Sequence, residues 1–158
     1  MLAFEDHDHR NCVHERVAAA ESICKAKKLR MTPIRRRVLE ILLEGHRALG
    51  AYDVLERLRE EGLGAHPPAA YRALDFLVRH GFAHKLEKLN AFVACVQASA
   101  DHSPAFLICK TCDAVAEADA GDIARALAGA AAGAGFQIET AAVEAEGLCP
   151  ACQTERRP

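Results

Sequence analysis

Seven cysteines stand in this chain, Cys12, Cys24, Cys95, Cys109, Cys112, Cys149 and Cys152. Four of them form two CxxC pairs, Cys109 with Cys112 and Cys149 with Cys152, each at the spacing that lets both sulfurs point at one tetrahedral ion. Four thiolates leave no open coordination position, so the site they predict is a structural zinc that staples the fold and does no catalysis. Thirty-six residues separate the pairs, too many for a compact zinc ribbon, and the fold must bring the knuckles together. The competing readings are a redox dithiol and plain buried cysteines. A thioredoxin-type motif follows a strand and opens a helix in a βαβ setting, and neither pair has that context. An odd number of cysteines in a chain without a secretion signal also disfavours a disulfide framework.

A second group of metal-competent residues lies between residue 84 and the strand after the first knuckle: His84, Cys95, His102 and Glu117. Two imidazoles, a thiolate and a carboxylate make a neutral shell around a divalent ion, and the thiolate favours zinc over manganese or ferrous iron. Each also has an ordinary reading, the histidines as surface residues, Cys95 as a core hydrophobe and Glu117 as a solvated strand end.

The elements that must position these side chains follow from periodicity. Residues 1–14 lack apolar spacing and read as a flexible, His-rich leader whose His7, His9, Cys12 and His14 are also metal-competent. Val17, Ala20 and Cys24 then begin a first helix that ends near Met31. Thr32 caps a second helix that opens on Pro33 and stops at Gly45, with Ile34, Val38, Ile41 and Leu42 as its stripe. A third helix carries Tyr52, Val54, Leu55 and Leu58. A fourth starts at Pro67-Pro68 and ends at Gly81, with Tyr71, Leu74, Leu77 and Val78 as its inner face, although Tyr71 and Arg72 near its start could equally reach base edges if it is a recognition helix. Beyond Gly81 the pattern turns to strands: a hairpin of Phe82–Glu87 and Ala91–Val96, strands around 106–108 and 115–117, an Ala-rich helix over 119–134, and a last strand over 136–146. The fold class is α+β, with domains expected over 15–83 and 84–158.

Composition bounds the function. The chain is 158 residues long with 51% hydrophobic and 27% charged residues, 32 alanines and no Trp, which describes one ordinary or two small folded domains rich in helix. No apolar run is long enough to span a bilayer and nothing resembles a secretion signal, so the expected location is the cytoplasm. The net charge of −2 conceals an asymmetry. Residues 1–81 hold 14 basic against 12 acidic residues, and residues 82–158 hold 6 against 10. Lys25, Lys27, Lys28, Arg30, Arg35, Arg36 and Arg37 fall in a stretch with no acidic residue between Glu21 and Glu40, a local footprint for a polyanion or, equally, a solvated helical face.

Four segments together are specific: RMTPIR over 30–35, AYDVL over 51–55, PPAAYRALDFL over 67–77, and GFAHK over 81–85, followed by the paired CxxC knuckles. Over about residues 15–153 this pattern resembles the ferric uptake regulator superfamily, and most closely its zinc uptake regulator branch. The resemblance implies an N-terminal winged helix-turn-helix DNA-binding domain and a small C-terminal α/β dimerisation domain. It implies two zinc ions per chain, a structural one on Cys109, Cys112, Cys149 and Cys152 and a regulatory one on His84, Cys95, His102 and Glu117. It further implies a cytoplasmic homodimer that binds double-stranded operator DNA and represses zinc uptake genes with zinc as co-repressor, neither an enzyme nor a binder of a membrane or small-molecule substrate. Tyr52, Tyr71 and Arg72 are the expected base contacts, with Arg30 toward the DNA backbone or minor groove and Arg35 toward the backbone. The alternatives are an iron, manganese or peroxide sensor of the same superfamily, or a zinc-storage protein that does not bind DNA. A single imidazole at Asp101-His102-Ser103, where the iron branch carries a His-rich cluster, counts against iron. Ala69-Ala70 stand where the family usually has Thr-Val, which removes a hydroxyl from the start of the fourth helix.

Overall fold

The computed structural model describes residues 9–45, 47–63, 66–95 and 104–155. These fall into two compact units, one within Asp6–Ala100 and one within Asp101–Pro158.

The first unit is built on four helices, α1 (His9–Ala26), α2 (Pro33–Leu43), α3 (Ala51–Glu60) and α4 (Pro67–Arg79), followed by an antiparallel hairpin of β1 (Ala83–Leu86) and β2 (Ala91–Ala94). Among the described residues every helix contributes to one core cluster, with Val17, Leu42, Leu58, Leu74 and Leu77 all buried. The expected leader is helical from His9 onward. Val13 packs against the core four residues before Val17, so the apolar stripe of α1 extends one turn further back than its most obvious residues suggest. At its other end Lys28 adopts a left-handed φ of 56° and the Leu29 amide returns to the Cys24 carbonyl at 2.8 Å, closing the helix without a glycine.

Capping fixes the next elements. The Thr32 hydroxyl accepts the Arg35 amide at 3.3 Å and Pro33 is the first helical residue, as the sequence predicts. The Asp53 carboxylate accepts the Gly50 amide at the start of α3. Helix α4 ends in a Schellman arrangement: Gly81 takes a φ of 77° and the Phe82 amide reaches the Leu77 carbonyl at 2.8 Å, launching the hairpin. Leu49, between α2 and α3, exchanges both backbone hydrogen bonds with Phe92 of β2. That bridge adds a third short partner to the hairpin and completes a winged helix-turn-helix. It also holds the hairpin to the helices, so His84 and Cys95 fall in the first unit and the division lies after the hairpin, whereas 83/84 is the boundary the sequence suggests.

The second unit is a three-stranded sheet in the order β4 (Val115–Asp119), β3 (Pro104–Cys109), β5 (Val143–Gly147), with α5 (Gly121–Gly133) and a short α6 (Pro150–Glu155). The last strand is shorter than its β-branched composition suggests. It begins at Val143, and the residues before it stay outside the sheet, Phe136 with 68% of its surface exposed. The sequence does not foresee the helix over 150–155, which corrects one expectation: the second CxxC does follow a strand, β5, and open a helix, α6. It is the convergence of the other two cysteines on it that sets it apart from a dithiol motif. Among the described residues no helix is long and apolar enough to cross a membrane.

Candidate metal centre and nucleic-acid interface

The knuckles meet because β3 and β5 run parallel. Cys109 is the last residue of β3 and lies in register with Gly147, the last of β5, so both strands leave the sheet at the same end, where the two CxxC pairs stand. The Lys110 amide donates to the Gly147 carbonyl at 3.0 Å, and a tight turn with Asp113 at a φ of 57° folds Cys112 back. All four sulfurs lie within 4.8 Å of one another. A tetrahedron with zinc–sulfur bonds of about 2.3 Å has an edge of about 3.8 Å, and Cys112 Sγ and Cys149 Sγ are 3.7 Å apart.

The electrostatics also fit a thiolate-bound cation. The Cys149 amide donates to Cys109 Sγ at 3.3 Å, and this bond, with those from the Cys112 and Thr111 amides, holds the Cys109 thiol down to about 6. Cys152 is pushed the other way, to about 12, by the neighbouring Cys149 side chain and by burial. A divalent ion removes that conflict, because its charge lets all four sulfurs stay deprotonated. Cys109, Cys149 and Cys152 are buried, and none of the seven cysteines is in a disulfide.

Of the second set, His84 and Cys95 come together. They face each other across the hairpin ends, with ligand atoms within 4.8 Å, and the Cys95 amide is fixed on the Phe82 carbonyl at 2.9 Å. Glu117 is a half-buried residue of β4 in the second unit, paired in register with Phe106. His102 lies outside the described residues, as do the side chains of His7 and His9; Cys12 and His14 sit on α1.

The candidate DNA contacts lie on the first unit. Tyr71 is 58% exposed and Tyr52 64% exposed, so Tyr71 does not belong to the inner face of α4; Ala70, Ala73, Leu74, Phe76 and Leu77 fill it. Arg72 is exposed beside Tyr71. A groove of about 430 Å³ opens between the start of α3, α4 and the hairpin, with both tyrosines, Asp75, Lys85 and Asn90 on its walls. The basic run divides sharply. Arg37 binds Glu40, Glu44 and Glu61, and Arg36 binds Glu21 and Glu40. Arg35 lies over the Phe76 ring, 3.8 Å from its centroid, and donates to the Arg30 carbonyl at 2.6 Å. Lys25, Lys27, Lys28 and Arg30 are exposed.

Residues 26–146 match the Ferric uptake regulator family. The chain belongs to that family. It is 40% identical to the Zinc uptake regulation protein of Escherichia coli strain K12 over 144 residues, covering 90% of this chain and 84% of that protein. Among solved structures it is similar to a Zinc Uptake Regulator complexed with zinc and DNA, with 40% identity and a TM-score of 0.87 over 90% of this chain and 96% of the other. It is also similar to holo XcZur, with 42% identity and a TM-score of 0.82 over 87% and 96%. Its fold is therefore the α+β arrangement of ferric uptake regulator proteins, with the winged helix first and the α/β unit second.

Proposed function

We propose that this family member is a zinc-responsive transcriptional repressor of zinc uptake genes, acting in the cytoplasm as a homodimer on double-stranded operator DNA. It is a regulator and not an enzyme. The observation that carries the reading is the pair Tyr71 and Arg72, exposed side by side on the second helix of a helix-turn-helix, in a chain 40% identical to a Zinc Uptake Regulator solved with zinc and DNA. In that motif the early residues of the second helix reach base edges in the major groove, and an arginine suits guanine. Tyr52, Tyr71 and Arg72 are the base-contacting candidates. Arg30, exposed with the lysines, is the candidate for the DNA backbone or minor groove, and Arg35, which also donates to the Arg30 carbonyl, is a further candidate for the backbone.

Two zinc ions per chain are proposed, a structural one on Cys109, Cys112, Cys149 and Cys152 and a regulatory one on His84, Cys95, His102 and Glu117. Bound zinc supplies a divalent charge shared by the donors, and with every position taken by protein it activates no water. His84 follows the recognition helix directly, so an ion held there would make the orientation of that helix depend on metal supply. Dimerisation is supported by α5, which has no buried residue and exposes Ile123 and Leu127. An Ala-rich helix with a bare apolar face is what a second copy would cover.

The test is to select duplexes from a random pool with the purified protein plus zinc, then to compare binding of the selected duplex with zinc and with a chelator. Enrichment of a pseudo-palindrome bound only with zinc is expected. Failure to enrich any sequence would leave a zinc-binding protein without this function.

A further inference from the structure

Helix α1 reaches the Cys95 end of β2 through one side chain. Arg16 Nη1 donates to the Cys95 carbonyl at 3.3 Å, and Arg16 Nε donates to Cys12 Sγ, one turn earlier on the same helix, at 3.1 Å. The Cys95 amide is already held by the Phe82 carbonyl at 2.9 Å. Both backbone polar groups of Cys95 are thus engaged at the residue where the hairpin ends, and its ligand atom lies within 4.8 Å of that of His84. A guanidinium is a rigid planar fork, so satisfying two acceptors at once fixes its plane and with it the carbonyl it holds. Arg16 is half-buried, which spares these bonds full competition from water.

We infer that Arg16 is a positioning residue for the regulatory zinc: from α1 it clamps the backbone of Cys95 and sets that sulfur's aim toward His84. The inference rests on the proposed reading of His84 and Cys95 as ligands. Groups that orient metal ligands without touching the ion commonly govern about 10- to 100-fold of metal affinity. Energetic coupling is reciprocal, so metal at Cys95 must also favour the docked state of the first turns of α1. That helix is 18 residues long, about 27 Å from end to end, and its far end carries Lys25 and leads into Lys27 and Lys28. The helix that clamps the ligand therefore also carries part of the basic surface, and the clamp gives metal occupancy a mechanical path to it.

The test uses the full chain with the structural site loaded, titrating cobalt(II) against a competing chelator and following the sulfur-to-cobalt charge-transfer band. Arg16→Ala is expected to keep one tightly held zinc and to weaken the second metal about tenfold or more. In parallel, amide hydrogen exchange over residues 12–20 should slow when the second metal binds to the wild type, and should not respond in Arg16→Ala. A folded Arg16→Ala protein with wild-type affinity for the second metal overturns the inference. If that variant does not fold, the wild type decides alone, since exchange in the first turns of α1 that ignores the second metal overturns it equally. Cys95→Ser separates the two levels: undiminished second-metal binding in that variant discards the ligand assignment itself, whereas its loss together with an indifferent Arg16→Ala discards only the clamp.

Discussion

Arg36 and Arg37 belong to the same run of basic residues as Arg30 and Arg35, yet their guanidinium groups are consumed by glutamates, some of them distant in sequence. Arg37 is held protonated chiefly by Glu61, and the Glu61 carboxyl is held below its usual range chiefly by Arg37. Arg37→Ala would take from Glu61 its chief counter-charge and leave Glu40 to Arg36 and Glu44 to Arg57 alone, and a loss on the order of 1 kcal/mol is expected in urea denaturation. The same variant should keep the salt dependence of binding to random duplex unchanged. Lys27→Ala should lower that slope by about 1. Arg72→Ala should instead lose discrimination between selected and random duplex, on the order of 1 to 3 kcal/mol for a lost bidentate base contact. Titrations of both duplexes at several salt concentrations separate the cases, and equal losses on the two would reassign Arg72 to the phosphates. Charge counting in the sequence finds the run but cannot divide it, because Glu61 and Glu21 reach Arg37 and Arg36 only through the packing of α3 and α1 on α2.

At the scale of elements, the caps and stops around α2 and the glycine at the end of α4 are legible in the sequence because they are local: Thr32, Pro33 and Gly81 act on neighbours within a turn. The knuckle spacing is legible for the same reason, while the means of joining the knuckles is not, since the parallel pairing of β3 with β5 spans about forty residues and leaves no short-range mark. The Leu49 bridge escapes a sequence reading because one residue has no period. The clamp from Arg16 to Cys95 connects 79 positions and has no sequence signal at all. Cys152→Ser should release zinc and give aggregated or monomeric protein, because metal binding here is part of the folding free energy of a unit with few other buried side chains. Soluble, dimeric, zinc-retaining Cys152→Ser protein, by metal analysis and sedimentation, would refute the structural site. A pH effect belongs to α4. His80, which caps its C-terminal end, sits 4.6 Å from the Phe76 ring, and burial first, then the charges of Arg79, Lys27 and Arg35, lowers its pKa. The unfolded chain, with a histidine near 6.5, therefore binds more protons than the folded one as pH falls below about that value. Stability should be full above a pH of about 6.5 and decline below it, and His80→Leu should flatten that part of the decline in denaturation curves taken from about pH 7 down to about pH 5.

For the whole molecule, family membership settles the fold, a winged helix and an α/β unit with four convergent cysteines, and the packing explains why each half needs something external. The winged helix has a closed core and presents exposed aromatic and basic side chains, which suits it to a polyanion. The α/β unit has a thin core, four convergent sulfurs and an uncovered α5, which suits it to a metal and a second copy. These needs meet in one claim, that metal supply controls sequence-specific DNA binding through a site separate from the structural zinc. The direct measurement is fluorescence anisotropy of a selected duplex as zinc is titrated onto protein that already carries one zinc per chain, with wild type and His84→Ala side by side. One-zinc protein is expected to bind only with the affinity it has for random DNA, a second equivalent of zinc to produce tight specific binding, and His84→Ala never to acquire it. Tight, specific binding by one-zinc wild-type protein, or an unaltered zinc response in His84→Ala, would contradict the claim.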